Sequence, residues 1–330
     1  MLAALNPLSP LYSVPCPILV TTNWKRSLMY KPVLAKAIDA ELCSLTVNGG
    51  VTLRYYADQK IDKRKAGVTA RPLVLLHSIN AAPSAMEVAP LFNAYRGKRP
   101  VYALDLPGFG QSQRGPLAYS PSFFAQCLHD FLMALEGEPA DIVALSLTTE
   151  FAARALCELS APANSLVGIS PTGFSRRQPP GESVSRKVDK VVGTPVLGRG
   201  LFRLLTSRPS IRFFLSKAFV GSTPKPLLDY AQQTARVTDA HYGPFAFLSM
   251  RLFTPSAPTT LYSKVSQPFL VLHDRDPNVD FAELPAFVDG RNNVQVDQVA
   301  PSLGLPHWEL LPETVTALDA FWQRNLPSRQ

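Results

Sequence analysis

The feature that most constrains this chain is a series of short apolar runs that alternate with amphipathic segments. Residues 73–76, 101–104 and 142–145, for example, contain no polar side chain apart from one tyrosine hydroxyl. Such runs are too short to span a membrane and are typical of strands buried on both faces of a sheet. Because helical periodicity follows most of them, we predict an α/β protein with a doubly wound, mostly parallel sheet.

The same pattern assigns the individual elements. We predict strands at 41–48, 51–57, 71–77, 100–106, 141–146, 164–170, 267–274 and 293–299. We predict helices at 84–95, 121–135, 147–159, 280–288 and 312–324, with a further short helical stretch near 33–40. Asn48-Gly49 between the first two strands is a hairpin signal.

The alternation stops for about 90 residues, between 173 and 262, and then resumes. We predict that this segment is an inserted, mainly helical cap or lid, and that 41–172 and 263–330 form one core domain. Residues 1–40 would be an N-terminal extension without an assigned role. A composition of 46% hydrophobic and 18% charged residues excludes a disordered chain.

Three residues that could take part in catalysis follow different predicted strands. Ser146 ends one strand and opens a helix, Asp276 follows a later strand, and His307 lies before the last helix. The carboxyl ends of parallel strands are where an open sheet collects its site. A serine, a histidine base and an orienting acid together can perform acyl transfer. The alternatives are that Ser146 only caps its helix and that Asp274 is the acid.

Five stretches in order resemble the α/β-hydrolase family with a cap domain, over roughly residues 41–330. They are LLHSIN (75–80), DLPGFGQS (105–112), ALSLT (144–148), HDRDP (273–277) and PHWELLPE (306–313). The resemblance implies that Ser146 is the nucleophile, Asp276 the orienting acid and His307 the base. It also implies that the backbone N–H groups of Ile79 and Leu147 form the oxyanion hole.

The chain departs from the family pattern at three glycines. Ala144 and Thr148 stand two residues before and after the serine, and Ser78 follows His77. Those glycines allow close packing at a strained turn, so these changes leave a non-hydrolytic site open as an alternative. His77 is expected to support the oxyanion segment, and Glu150 to be a solvated or salt-bridged helix residue.

The net charge of +8 is concentrated in the predicted cap. Eleven of the 33 Lys and Arg residues, but only three of the 25 Asp and Glu residues, lie between 176 and 230. Aromatic residues accompany this charge and favour a large apolar pocket. The expected substrate-binding residues are Phe202, Phe213, Phe214, Phe245 and Trp308.

These observations predict a serine hydrolase that cleaves a hydrophobic carboxylic ester or thioester through an acyl-enzyme, without a metal or an organic cofactor. The alternatives are a non-catalytic scaffold that binds an apolar ligand, and an acyltransferase that uses the same three residues. Four scattered cysteines favour a reduced, cytoplasmic protein. The basic cap could contact an anionic membrane or an acidic carrier, whereas no nucleic-acid-binding motif accompanies the charge.

Overall fold

The computed structural model describes residues 34–62, 70–137 and 139–326. Its strands are β1 (Glu41–Val47), β2 (Val51–Asp58), β3 (Leu73–Leu76), β4 (Val101–Asp105), β5 (Ala140–Leu145), β6 (Ala163–Ile169), β7 (Phe269–His273) and β8 (Val294–Gln298). Its first helices are α1 (Ala89–Tyr95), α2 (Pro121–Ala134), α3 (Thr148–Leu159), α4 (Glu182–Val192), α5 (Pro195–Leu205) and α6 (Arg208–Ser216). The remaining helices are α7 (Lys225–Ala235), α8 (Tyr242–Leu248), α9 (Ala257–Thr260), α10 (Leu284–Val288), α11 (Pro306–Glu309) and α12 (Leu311–Arg324).

The eight strands form one sheet in the order β1-β2-β4-β3-β5-β6-β7-β8. Only β2 runs antiparallel to its neighbours, β1 and β4, and all other pairs are parallel. Every residue of β3, β4 and β5 is buried, and alternate side chains enter different cores. Val74 and Leu76 pack on one face of the sheet, Leu73 and Leu75 on the other. The predicted α/β fold with a mostly parallel sheet is confirmed.

Helices α4 to α9 lie in the chain between β6 and β7, where the strand pattern stops. Pro209 falls in the first turn of α6, and α5 ends at Leu205 before it. Proline is tolerated in a first helical turn and breaks a helix elsewhere, which explains why the basic stretch forms two helices. That this helical segment is a separate cap domain stays a prediction.

The prediction of a short helix near 33–40 is wrong for the described residues of that stretch, 34–40, which form no helix and bend at 37–40. The carbonyls of Leu34 and Ala35 accept hydrogen bonds from the Gln111 side chain, and the Ala37 N–H donates to the Tyr56 hydroxyl at 2.9 Å. Tertiary partners therefore take the backbone groups that a helix would pair. The rest of the predicted extension, 1–33, lies outside the described residues.

No helix within the described parts of the chain is both long and apolar enough to cross a membrane.

Candidate functional site

A cavity of about 390 Å³ lies at the carboxyl edge of the sheet. Its floor comes from residues that follow β3, β5, β6, β7 and β8, and its roof comes from the helical segment. The polar or reactive floor residues are Ser78, Asn80, Ser84, Glu87, Ser146, Ser170, Thr172, Asp276 and Asn278. The roof residues are Leu205, Ile211, Phe214, Leu215, Ala218, Leu227, Ala231, Phe247, Leu248 and Phe253. The cavity thus offers polar groups on the sheet side and an apolar surface opposite them.

Ser146 occupies a sharp turn between β5 and α3. Its φ of 52° lies in the left-handed region, which a non-glycine residue enters at a cost of about 1–3 kcal/mol. Its N–H donates to the Ile169 carbonyl of the neighbouring strand at 2.9 Å, which holds the turn in place. The Ser146 side chain faces the cavity and forms no hydrogen bond within the described residues. Backbone strain at a cavity-lining serine is consistent with a nucleophile's position.

The turn accommodates side chains where the family usually has glycines. Thr148 donates its hydroxyl proton to the Leu145 carbonyl at 2.8 Å, and Thr149 donates to the Ala144 carbonyl at 3.3 Å. Gly168 on β6 provides the space, because a Cβ there would lie 2.8 Å from Cγ2 of Thr149. The Thr148 hydroxyl is thus satisfied by a backbone carbonyl, and Gly168 leaves room for the methyl group of Thr149.

The two N–H groups assigned to the oxyanion hole belong to Ile79, which lines the cavity, and to Leu147, which follows Ser146 in the chain. Within the described residues, neither the Ile79 nor the Leu147 N–H has a hydrogen-bond acceptor. Donors without an internal acceptor are what an oxyanion hole requires. The geometry is therefore compatible with the oxyanion role that the family resemblance implies for both residues.

Glu87 shapes the segment that carries Ile79. Its carboxylate accepts the Ser78 N–H and the Asn80 side-chain amide, each at 2.7 Å. Burial raises the pKa of this carboxyl, and the Ser78 N–H partly opposes the shift. Ser78, which replaces a family glycine, is thus tied to Glu87 through its backbone.

His77 supports the same segment and is not placed to act as a base. Its Nε2 accepts the Leu106 N–H at 3.0 Å, and its Nδ1 lies 2.6 Å from the Ser78 carbonyl. Burial lowers the pKa of His77 to about 4, so the ring is neutral at physiological pH.

Asp276 lines the cavity together with Ser146. Burial raises the pKa of its carboxyl. Gly304, with a φ of 121°, lies so close that a Cβ would be 2.7 Å from Oδ2 of Asp276. The alternative acid, Asp274, accepts the Ser302 N–H and the Gln298 amide and lies outside the cavity. The geometry therefore favours Asp276 as the acid.

Within the described residues, no cluster of His, Cys, Asp or Glu could hold a metal ion.

Unlike Ser146 and Asp276, His307 does not line the cavity. His307 is fully buried outside the cavity lining, and its Nε2 lies 2.7 Å from the Glu87 carbonyl. Trp308 donates its indole N–H to the same carbonyl at 2.8 Å. Burial lowers the pKa of His307 to about 4, and its Nδ1 has no partner within the described residues. In this structure the neutral imidazole contacts the Glu87 carbonyl, and the role of His307 as the base stays a prediction.

Leu305 lines the cavity from the loop in which the base is predicted. It is the only side chain between β8 and α12 that lines the cavity, and it directly follows Gly304 at Asp276. All five histidines of the chain are among the described residues, and none of them lines this cavity. The nucleophile and the acid of the predicted triad share one cavity, and the base does not.

The predicted substrate-binding aromatics are divided among different places. Phe214 lines the cavity. Phe202 and Phe245 form a separate cluster inside the helical segment, and Phe213 is 56% exposed. Trp308 lies at the Glu87 carbonyl instead of the cavity. Of the five residues, only Phe214 contacts the cavity, because helical periodicity turns its neighbour Phe213 outward.

Phe247 and Phe253 line the cavity as well, although they were not assigned to it from the sequence. Their only signal was the aromatic content of the segment. Which aromatics reach the cavity depends on how the helices pack, and spacing along the chain does not specify that packing.

Glu150 differs from the expectation of a solvated or salt-bridged residue. It is only 1% exposed, and its carboxylate accepts the Thr172 hydroxyl and, at 2.7 Å, the Thr254 N–H. Burial raises its pKa to about 7. Thr172 lines the cavity, so Glu150 lies directly behind a residue of the cavity wall.

Comparisons with known proteins agree with this fold. Residues 73–318 match the model of the alpha/beta hydrolase family. No curated protein matches the chain. Among solved structures, a membrane phospholipase A from a bacterium is 20% identical, with 86% of each chain covered and a TM-score of 0.66. A thermophilic esterase from Thermogutta terrifontis is 18% identical, covering 86% of this chain and 98% of that chain at a TM-score of 0.63.

A serine hydrolase involved in carbazole degradation is also 18% identical, covering 86% of this chain and 99% of that chain at a TM-score of 0.64. At these identities the structures establish a shared fold alone. The family match spans most of the core and both sides of the cavity. The chain therefore belongs to the α/β-hydrolase family.

Proposed function

We propose that the cavity binds the acyl part of an apolar ester or thioester, and that turnover at Ser146 is slow. The observation that carries the proposal is the combination of a strained serine with a cavity that no histidine lines. The sheet side has the groups that recognise a carbonyl, whereas the proton acceptor for rapid acyl transfer is missing from the same space.

The ligand's carbonyl oxygen would accept the free N–H groups of Ile79 and Leu147. Its carbonyl carbon would then lie next to the Ser146 hydroxyl, and its apolar chain would contact side chains such as Phe214 and Phe247. Hydrogen-bond donors that are already in place stabilise the charge that develops on such an oxygen. The apolar roof supplies affinity in proportion to the surface it removes from water.

Catalysis would proceed by attack of the Ser146 Oγ on the carbonyl carbon, while its proton passes through water to the departing alcohol or thiol. Water would then attack the acyl-enzyme, release the carboxylic acid and return a proton to Oγ. A positioned general base contributes about 10²–10⁴-fold to such steps. With Leu305 in the cavity and His307 held on the Glu87 carbonyl, that contribution is absent. We therefore expect tight binding of apolar acyl compounds and slow hydrolysis.

The second candidate is a serine hydrolase at full rate with Ser146, Asp276 and His307. It is favoured by the positive φ of Ser146 and the placement of Asp276 in the same cavity. It requires His307 to leave the Glu87 carbonyl and enter the cavity when substrate binds. This candidate predicts that His307 is essential for hydrolysis, and the first predicts that it is not.

Two measurements separate the candidates. The first is binding of a fluorescent fatty acid, and the second is hydrolysis of p-nitrophenyl esters from acetyl to palmitoyl. Ser146→Ala tests the nucleophile, and Ser160→Ala is its matched control, because Ser160 has nearly the same φ (53°) at the other end of α3. We expect fatty-acid binding in all three proteins, and slow hydrolysis that only Ser146→Ala removes.

His307→Gln then decides between slow and full-rate chemistry. The glutamine side chain can still donate a hydrogen bond to the Glu87 carbonyl, so we expect this variant to keep the fold. Unchanged hydrolysis supports the proposal. Rapid hydrolysis in the wild type that His307→Gln abolishes would instead establish the complete triad, and failure to bind any acyl compound would reject both candidates.

A further inference from the structure

We propose that the outer surface of α5 and α6 docks on an anionic lipid membrane. This docking surface consists of Arg199, Arg203, Leu204, Arg212, Phe213 and Lys217, together with the exposed part of Phe214. The inference does not depend on the proposed function, because it concerns the outside of the helical segment rather than the chemistry at Ser146.

The docking surface carries three exposed large apolar side chains, and further ones lie near it in the chain. Among the described residues, ten large hydrophobic side chains are exposed, and six of these lie between 184 and 220. Leu204 is 68% exposed, Phe213 56% and Phe214 51%. Single exposed apolar residues are ordinary, but a group on two consecutive helices marks an interaction site.

Positive charge surrounds these apolar side chains. Residues 190–228 contain seven Lys and Arg and no Asp or Glu. Arg203 and Arg212 are exposed and form no ion pair within the described residues, whereas Arg208 pairs with Asp229 at 2.7 Å. The Lys217 ammonium lies 4.5 Å from the centre of the Phe213 ring. On α6, a cation and an aromatic ring therefore lie together.

This mixture fits one partner best. Phospholipid headgroups of negative charge would meet the arginines, and the Phe213 ring would enter the boundary between headgroups and acyl chains. A second copy of the chain on the same surface would bring like charges together. Phe214 also lines the cavity, so the docking surface adjoins the route by which an apolar ligand would enter.

The test is co-sedimentation of the full chain with two kinds of vesicle, one of phosphatidylcholine alone and one of phosphatidylcholine and phosphatidylglycerol in equal parts. We expect binding to the anionic vesicles that weakens as salt is added, and little binding to phosphatidylcholine alone. Phe213→Ser should reduce the affinity about tenfold and Arg212→Glu by at least about fivefold.

Two variants serve as matched controls. Met133→Ser removes an apolar side chain that is 61% exposed on α2, and Lys264→Glu reverses an exposed charge outside the docking surface. Both should bind like the wild type. None of the four side chains lines the cavity. Circular dichroism and thermal unfolding, which do not depend on ligand binding, will report that each variant is folded.

The proposal is overturned if the anionic vesicles do not retain the folded protein. It is equally overturned if both controls reduce binding as much as Phe213→Ser and Arg212→Glu, or if phosphatidylcholine alone binds as well. Binding to poly-glutamate without binding to vesicles would assign the docking surface to an acidic polypeptide instead.

Discussion

The two junctions that the resemblance assigned to catalysis, β5–α3 and β8–α12, behave in opposite ways. At β5–α3, Ser146 is held at a positive φ and faces the cavity. At β8–α12, His307 lies outside the cavity on the Glu87 carbonyl, and Leu305 lines the cavity instead. Chain order alone is thus sufficient to locate the first residue and insufficient for the second. Two residues that are two positions apart in one loop therefore differ in whether their side chains line the cavity.

The largest expected effect comes from placing a histidine at the cavity-lining position of the second junction. Leu305→His puts an imidazole on the wall of the cavity that Ser146 and Asp276 also line, next to Gly304, which contacts Asp276. We expect hydrolysis of a long-chain p-nitrophenyl ester to rise by about 10²–10⁴-fold. The double variant Leu305→His with Ser146→Ala should lose the gain, and Leu305→Gln, which is polar but not basic, should show none. No gain in a folded Leu305→His protein would mean that this position does not reach the serine.

The next prediction concerns Glu150, one helical turn beyond Ser146. Its pKa is raised from 4.5 to about 7 by burial, so the folded state holds the proton more tightly than the unfolded state. The stability it contributes is complete below about pH 4.5 and is lost as the pH rises through 7. The free energy of unfolding of the wild type, relative to Glu150→Gln, should fall by about 3 kcal/mol across this range. Urea unfolding at several pH values measures it, and parallel curves for the two proteins would contradict the buried position.

A smaller effect tests the packing that makes the first junction possible. Gly168→Ala would place a Cβ 2.8 Å from Cγ2 of Thr149 and 3.0 Å from Cβ of Pro171. We expect a loss of about 1–3 kcal/mol, partly restored by Thr149→Ser, which removes the clashing methyl group. Gly200→Ala in α5 is the control, because nothing lies within 4 Å of that Cβ. Equal effects of the two alanines would show that Gly168 does not provide the space.

The smallest expected effect concerns the anchor of the second junction. Trp308→Phe removes one of the two donors to the Glu87 carbonyl and leaves the His307 contact in place. The free energy of unfolding should fall by about 1 kcal/mol, which thermal or urea unfolding can resolve. If Trp308→Phe also changed ester hydrolysis, the loop would be closer to the chemistry than its contacts indicate.

Much of the fold follows from the sequence because its signals are local. Apolar runs such as 73–76 and 101–104 are buried on both faces, and the helices that follow them begin and end within a few residues of their predicted bounds. The stretch near 33–40 fails for the opposite reason, since contacts with Gln111 and Tyr56 override its local helical pattern.

The division within the site has the same physical origin. The sequence by itself determined the sheet, the turn at Ser146 and the place of Asp276, because a strand end and the residues after it have a fixed relation to the sheet edge. Only the tertiary structure decided the contents of the cavity. Leu305 and Phe214 line the cavity, whereas His307 and Phe213 do not, and Glu150 is buried beneath Thr172. Those outcomes depend on which distant groups, such as the Glu87 carbonyl, compete for a side chain, and that competition exists only once the chain is packed.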